Sequence, residues 1–566
     1  MGRKCKKLKF DCIVLGVGAA GCPLMFQLSE DRHTTVAIVE AGKYLNNDTF
    51  VNGPNRSDPT IPDTNQEYNW PGLTLPDPST PDLGGTPRIH RWSNGYGFGG
   101  GSLVDGQIYS IGSPQRFNQW GAQVGDFWSY PRVKKRVIKM ERFFGPTPFP
   151  AEHGYDGRMA VRVGVADDTG TPDFTEAIFS TNAPGTVPIK DYNSTQTPMG
   201  VYPNWQYWQF PDGTRATAAR TFGAADVIGP DGKGRDGRKI QAFFESRALK
   251  LIWSKKRGTV KGVHISVKGE PVTIYGDNIF ISMGFNSAAY LQVNGVGPAE
   301  LLQQFNIPVR VDSPNVGTGM KINIFIPNLM SSKPDSRQNS NPATFYSGGA
   351  FLPSPDGTNP EERNVELSAI FIAGGALFIP VIEAPLRPKS TGVIRIQSAD
   401  PLKIAEAQLN LLGDPADLDF TVLCYQTLML PIFQSLIAKG YALLPFPLAP
   451  TIEMLQSPDD SALRAFIQNT ASSGHHYMCF NHMGRQEDGA VVDIFGKVHG
   501  TNNLYVVDDS IVPKGLNIDG NTKLCAELFG WTLGKKFRKN NSCRNSAKLE
   551  LELHPKTEKE EKEEKK

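Results

Sequence analysis

The 566-residue sequence predicts an α/β chain, α+β overall, in which a Rossmann-like nucleotide-binding domain is joined to a cap domain with a largely antiparallel sheet and helices. Three observations predict it. Residues 10–40 read as strand, glycine turn, helix and strand. Further glycine-rich runs lie at 94–106 and beyond 484, so the first domain is assembled from separated pieces. Between those pieces, residues 130–200 and 305–470 alternate short strand patterns with Pro and Gly breaks, as antiparallel sheets do. A chain this long holds roughly two to four domains and a large buried core.

The chain opens on MGRKCKKLK, a basic tail that runs straight into a strand pattern without the apolar core of a secretion signal. Met-Gly invites myristoylation, but Lys6 stands where that motif needs Ser or Thr. Cys12 to Leu15 then reads as buried strand, PLMFQLSE has apolar residues at helical spacing, and TVAIVE is a second strand. Within FDCIVLGVGAAGCPLMFQLSE, Gly16 permits a tight turn, Gly18 lets backbone approach a pyrophosphate, and Gly21 lets the helix pack close to the sheet. The helix N-terminus turns free N–H groups toward the anion. Glu40 ends the second strand 19 residues after Gly21, placed for ribose hydroxyls. An acid there disfavours a 2′-phosphate, which leaves FAD or NAD as the dinucleotide.

Residues 46–84, rich in Asn, Pro, Asp and Thr, predict a long loop draped over the cofactor. In NGYGFGGGSLVDG, residues 94–106, the glycines would weaken a core strand. They suit backbone that passes close to a flat ring and a phosphate, which favours FAD over NAD. NSTQTPMGVYPNWQYWQF, residues 193–210, concentrates aromatics, as core or as substrate wall. The apolar run LSAIFIAGGALFIPVI from Leu367 has 16 residues and is broken by two glycines and a proline, too short to span a bilayer, and reads as buried strands. After Gly484 come a hairpin, the strand LYVVD, a loop and a helix from about Thr522. The last eleven residues, KTEKEEKEEKK, are charged throughout and read as a solvated, disordered tail.

Lys and Arg total 59 against 57 acidic residues, so no overall field or motif indicates a direct nucleic-acid partner. Seven cysteines without paired ligand spacing indicate no metal site and suit a reducing compartment. Four N-x-S/T sequons carry no weight without secretion. With no signal peptide or transmembrane segment read in the sequence, a soluble, cytoplasmic protein without a membrane partner is expected.

These motifs together resemble the glucose-methanol-choline (GMC) oxidoreductases, flavoenzymes that oxidise alcohols with FAD, over nearly the whole chain. The opening fingerprint with Glu40 is similar to the family's ADP-binding unit, and GFGGGSLVD, residues 97–105, to its first signature. GFNSAAYLQVNGVG, residues 284–297, is similar to the second signature, with Ala288 where proline is usual. PDGTRATAARTF from Pro211 and NLYVVDDSIVP resemble two further FAD-binding segments. The resemblance implies FAD contacts at Gly16, Gly18, Gly21, Glu40, Gly99, Gly100, Gly101, Ser102, Asp105, Leu249 and Asp508, with Asp105 where the family usually has Asn. No histidine stands at Val104 or beside it, so a non-covalent flavin is expected.

Alcohol oxidation needs a group to take the hydroxyl proton as hydride leaves the carbon, and neutral imidazole suits that task. Setting Met483-Gly484 of SGHHYMCFNHMG against the family's corresponding segment makes His476 the catalytic histidine, beside His475 and His482. If extended, His475 and His476 point to opposite faces. The second active-site residue is Asp519 when counted forward from Pro513 and Asn521 when counted back from the closing helix, whose register favours Asn521. The resemblance divides the chain into an FAD domain of residues 10–45, 85–125, 205–300 and 470–540, a substrate/cap domain of 126–204 and 301–469, the flavin-covering loop 46–84, and tails 1–9 and 541–566. It implies a small alcohol substrate, with O₂ or another electron acceptor and a homodimer.

EYNWPG from Glu67, GYGFGGGS from Gly95, NVGTGMKIN from Asn315, YQTLM from Tyr425 and GNTKLCAELFG from Gly520 resemble most the GMC members found in particles of giant DNA viruses. That branch implies a virion location and a structural alternative, a fibril or genome-enclosing shell that retains FAD with little turnover. An FAD-dependent lyase shares the same motifs.

Overall fold

A strand that is apolar on both faces belongs inside a parallel sheet, and Leu8–Leu15, exposed at Leu8 and fully buried from Cys12, sits there. It pairs in parallel with Glu270–Ile281 on one side and Thr35–Val39 on the other, Cys12 lying opposite Asn278 and Val36. Lys239–Phe243 continues the sheet past Thr35–Val39. Leu504–Val506 joins the end of Glu270–Ile281, also in parallel. Ser246–Trp253 and Val260–Val267 complete the seven strands as an antiparallel edge. Strands distant in sequence therefore build one sheet, with the helix Gly21–Ser29 packed between it and the C-terminal helix Lys523–Leu553. A Cβ at Gly530 would stand 2.0 Å from the Ala20 carbonyl oxygen, so only glycine lets these helices come so close.

The structure, a computed structural model, describes residues 8–53, 67–70, 72, 74–90, 94–338, 343–403 and 405–553. Residues 1–7 of the basic tail, 54–66, 71 and 73 of the 46–84 loop, and 554–566 of the charged tail lie outside the described residues. The C-terminal helix runs to Leu553, past position 541, where the domain division above begins the tail.

The second sheet has eight strands, all paired antiparallel. The apolar run from Leu367 forms its central hairpin, Val365–Ile372 with Leu377–Glu383. Tyr346–Leu352 and Gly200–Tyr202 extend one side. On the other, Ile324–Pro327 pairs both with Leu377–Glu383 and with Ser472–Ser473, which leads directly to His475 and His476. The two histidines thus follow a strand of the antiparallel sheet, whereas Asn521 stands two residues before the helix Lys523–Leu553.

One helical stretch was missed in the sequence. Pro415–Ala438 is 24 residues long and apolar enough to cross a membrane by length and composition, whereas no such span was expected. Half of its apolar 18-residue window is buried inside the fold, where Tyr425, Leu428, Met429, Ile432 and Phe433 are fully enclosed and Tyr425 Oη donates to Asn328 Oδ1 at 2.9 Å. That burial is the pattern of a core helix.

Candidate functional site

A cavity of about 540 Å³ runs between the two sheets, within the size range of small-molecule sites. Gly16, Gly18, Glu40, Gly100, Gly101, Ser102, Asp105, Asp508, His476 and Asn521 all line it. Gly21 and Gly99 do not: they shape its wall from behind, Gly21 because a Cβ there would lie 2.3 Å from the Gly16 carbonyl oxygen.

At one end, Gly16 turns the chain at φ +84°, a conformation that disfavours other residues. Val17 N donates to Glu40 Oε2 at 3.0 Å and Gly42 N to Oε1 at 2.9 Å, so the carboxylate fixes the turn as well as facing the cavity. Burial raises the Glu40 pKa, opposed by these amide hydrogen bonds. The helix Gly21–Ser29 begins at Ala20 with no side-chain cap; Cys22 N is already bonded to Gly18 O at 3.0 Å and Pro23 has no N–H, so the amides that can meet an anion are those of the turn before it, where Gly18, Ala19 and Ala20 line the cavity. The two glycine runs meet backbone to backbone: a Cβ on Gly100 would lie 2.6 Å from Gly18 Cα, while one on Gly101 would enter open cavity. An uncapped helix start and a side-chain-free wall fit a dinucleotide with a flat ring.

Ser246, Arg247 and Ala248 complete the Glu40 end. Leu249, the expected contact, is not among the lining residues, because a register irregularity between Ala248 and Lys250 interrupts the strand pairing there. Asp508 accepts from Gly284 N at 3.0 Å and from the hydroxyls of Ser287 and Ser510. Burial lifts it to about 6 despite these bonds. Asp105 is held by Arg215 and, at 3.3 Å, by Lys523 Nζ. Sequence reading singled out neither cation, and only Lys523, two residues past Asn521, could have signalled the pair.

At the other end, His476 Nε2 lies 3.3 Å from Asn521 Nδ2 and Nδ1 lies 3.3 Å from Asn323 Nδ2. Burial first, and the charge of His475 second, lower His476 to about 3, so it is a neutral imidazole at physiological pH. Asn521 Oδ1 is buried with no partner among the described residues. Behind His476, Glu383 Oε2 approaches Nδ1 to 3.8 Å. Glu383 sits across the hairpin from Glu366; burial pushes both carboxyls up, and the charge of Glu366 adds to the rise at Glu383. Two acids inside the apolar hairpin were the signal for this pair.

The histidines do not alternate as an extended chain would. His475 takes φ +61° and turns its Nδ1 to Tyr477 Oη at 3.3 Å, so both rings line the cavity. His482 is buried outside it and lowered to about 4 by burial. The choice between Asp519 and Asn521 also has a physical answer. Asp519 is buried away from the cavity, accepting from Ser113 N at 2.7 Å and pairing with Arg387 at 2.9 Å; burial alone would raise it, but Arg387, Arg363 and Arg116 hold it low. Asn521 meets His476.

Comparison with known proteins follows the same lines. Family models described as GMC oxidoreductase match residues 10–324 and 388–530. The chain is 28% identical over 528 residues to 5-(hydroxymethyl)furfural oxidase of Methylovorus sp., covering 89% of this chain and 94% of that protein. It is 25% identical over 548 residues to the oxygen-dependent choline dehydrogenase of Staphylococcus epidermidis, covering 90% of each. The fold is similar to that of pyridoxine 4-oxidase from Mesorbium loti, with TM-score 0.78 and 21% identity over 94% of this chain and 99% of that one. An FAD-dependent oxidoreductase from Chaetomium thermophilum superposes with TM-score 0.80 at 19% identity, over 94% of this chain and all of the other. These relatives, named as enzymes, lend no support to a fibril or shell role.

Proposed function

The chain belongs to the GMC oxidoreductase family and is an FAD-dependent oxidoreductase, and from that premise we propose that it oxidises a CH–OH group of a small alcohol. The observation that carries this reading is the desolvated, neutral imidazole of His476 beside Asn521, in a cavity continuous with the dinucleotide cradle. Gly16, Gly18 and Glu40 would hold the ADP portion of FAD, and Gly100, Gly101, Ser102 and Asp105 the wall beside the ring. FAD, when bound, supplies the hydride acceptor, and O₂ or another oxidant takes the electrons onward.

His476 takes the hydroxyl proton on its free ring nitrogen. Asn521 steadies the oxygen as it loses that proton. Glu383 Oε2, 3.8 Å from Nδ1, is the acceptor on that side and keeps the ring proton on Nδ1, which leaves Nε2, facing Asn521, as the nitrogen that takes the hydroxyl proton. The test is an anaerobic alcohol screen of the FAD-loaded protein. Bleaching of the visible flavin absorption with at least one alcohol, lost in His476→Ala while FAD stays bound, is the expected result; a flavin that no alcohol reduces overturns the proposal.

A further inference from the structure

Away from the cofactor cavity, the helices Tyr130–Met140 and Lys523–Leu553 pack together and border a groove of about 410 Å³. Arg132, Lys135, Arg136 and Lys139, at i, i+3, i+4 and i+7, form a single stripe along the first helix. Lys535, Lys536 and Lys539 line the groove from the second. Like charges gathered in this way repel unless something neutralises them. Among the described residues, the one acid ion-paired with any of the seven is Asp126, 3.1 Å from Arg132.

What holds several of them is aromatic. The Arg136 guanidinium lies 4.0 Å from the Phe127 ring centre, Lys536 Nζ 3.9 Å from that of Phe495, and Lys535 Nζ 4.5 Å from that of Trp531. A ring face positions a cation without cancelling its charge, whereas a carboxylate would cancel it. Arg136 Nη1 is buried without a hydrogen-bond partner among the described residues. Burial, then Arg132, lowers Arg136 to about 10; burial, then Lys139 and Lys539, lowers Lys535. The groove is therefore preorganised and short of negative charge.

We propose that this groove binds a chain of linked phosphates, the chemistry shared by inorganic polyphosphate and the backbone of a single nucleic-acid strand. Seven positions at a 1.5 Å rise spread the first stripe over about 10 Å, more than one orthophosphate meets. Lysine point charges and arginine forks both suit phosphate oxygens. A bilayer surface is a poorer match: the large exposed apolar side chains, such as Ile89, Val165 and Leu448, lie on other segments, and none borders the groove. The near-neutral total charge hid the site in the sequence, because clustering rather than balance creates it.

The test uses the full, FAD-loaded chain with two labelled probes, oligothymidylate and inorganic polyphosphate, in fluorescence anisotropy over a salt series. Binding of both is expected; binding of one alone assigns the source of the phosphates and still supports the proposal. The charge reversal Lys135→Glu/Lys139→Glu/Lys539→Glu, all at exposed side chains, weakens binding tenfold or more, with the log–log salt slope shallower by about 0.7 for each cation removed. Lys255→Glu/Lys256→Glu, in the exposed turn after Trp253, leaves affinity unchanged, and the flavin spectrum of each variant reports that it is folded. No binding of either probe, or binding that the groove reversal leaves intact, overturns the proposal. So does equal binding of poly-glutamate with the same sensitivity to the reversal, which would make the groove a site for acidic peptides.

Discussion

A buried histidine serves as a proton acceptor only while it is neutral, and burial secures that for His476 by holding it near 3, well under the ordinary 6.5. A base with this pKa is in its working form at every pH above about 3, so the acid limb of kcat/KM does not fall near 6.5 as it would for a solvated histidine. The expected profile is flat from pH 7 to below pH 6, measured by steady-state turnover of the FAD-loaded enzyme; a half-drop near 6.5 would show the ring to be solvated. His476→Ala is expected to lower kcat about a hundredfold to ten-thousandfold, the range for a positioned base. Asn521→Ala removes a hydrogen bond to a charged oxygen, worth about 1.5–3 kcal/mol, and is expected to lower kcat/KM about ten- to a hundredfold with FAD content unchanged.

Among the elements, the meeting of the two glycine turns is the most demanding contact. Gly100→Ala puts a methyl group 2.6 Å from Gly18 Cα at φ +53°, and backbone in that region costs a residue with a side chain about 1–2 kcal/mol before any clash. FAD affinity is expected to fall at least about five- to thirtyfold, read by flavin fluorescence on dilution. Ser102 should be less sensitive, since its hydroxyl donates to Gly99 O and accepts from Ala218 N without entering a close backbone contact. The glycine turn was legible in the sequence because strand, turn, helix and Glu40 lie within 31 consecutive residues and each obeys a local rule. The bond from Asp105 to Arg215 joins residues 110 positions apart, and that from Asn323 to His476 joins residues 153 apart, so no spacing announces them. His475 defeated the alternation rule because one left-handed residue resets which face its neighbours take. Leu249 fell to a bulge, a one-residue slip that pattern reading does not register.

For the molecule as a whole, histidines set opposite limbs of the stability curve. His90, His476 and His482 are lowered to about 4, 3 and 4, in each case first by burial, whereas in the unfolded chain they titrate near 6.5. As pH falls below about 6.5 the unfolded chain binds protons that the folded chain refuses, so stability drops by up to about 1.4 kcal/mol per pH unit for each of them. His153 has the opposite sign. Although burial alone would lower it, Asp191 at 2.8 Å and Glu141 at 3.1 Å on its two ring nitrogens raise it to about 9. Its contribution is complete below about 6.5 and is lost as pH rises through 9. Buried carboxyls oppose the acid limb, since Asp508, raised to about 6, and Glu527, raised to about 8, take up protons in the fold before the unfolded chain does, so each histidine contribution is read from the urea midpoint of its Gln variant against the parent across the pH series. His153→Gln should flatten the alkaline limb and leave the acid limb in place, because His90, His476 and His482 do not contact it. Stripping FAD should lower the whole curve, by about 2.7 kcal/mol relative to protein held at a hundred times the FAD dissociation constant, since the cofactor binds the folded chain alone. A His476→Gln variant whose midpoint runs parallel to that of the parent between pH 7 and 4.5 would mean that this ring accepts protons inside the fold, and the neutral base assigned to His476 would fall with it.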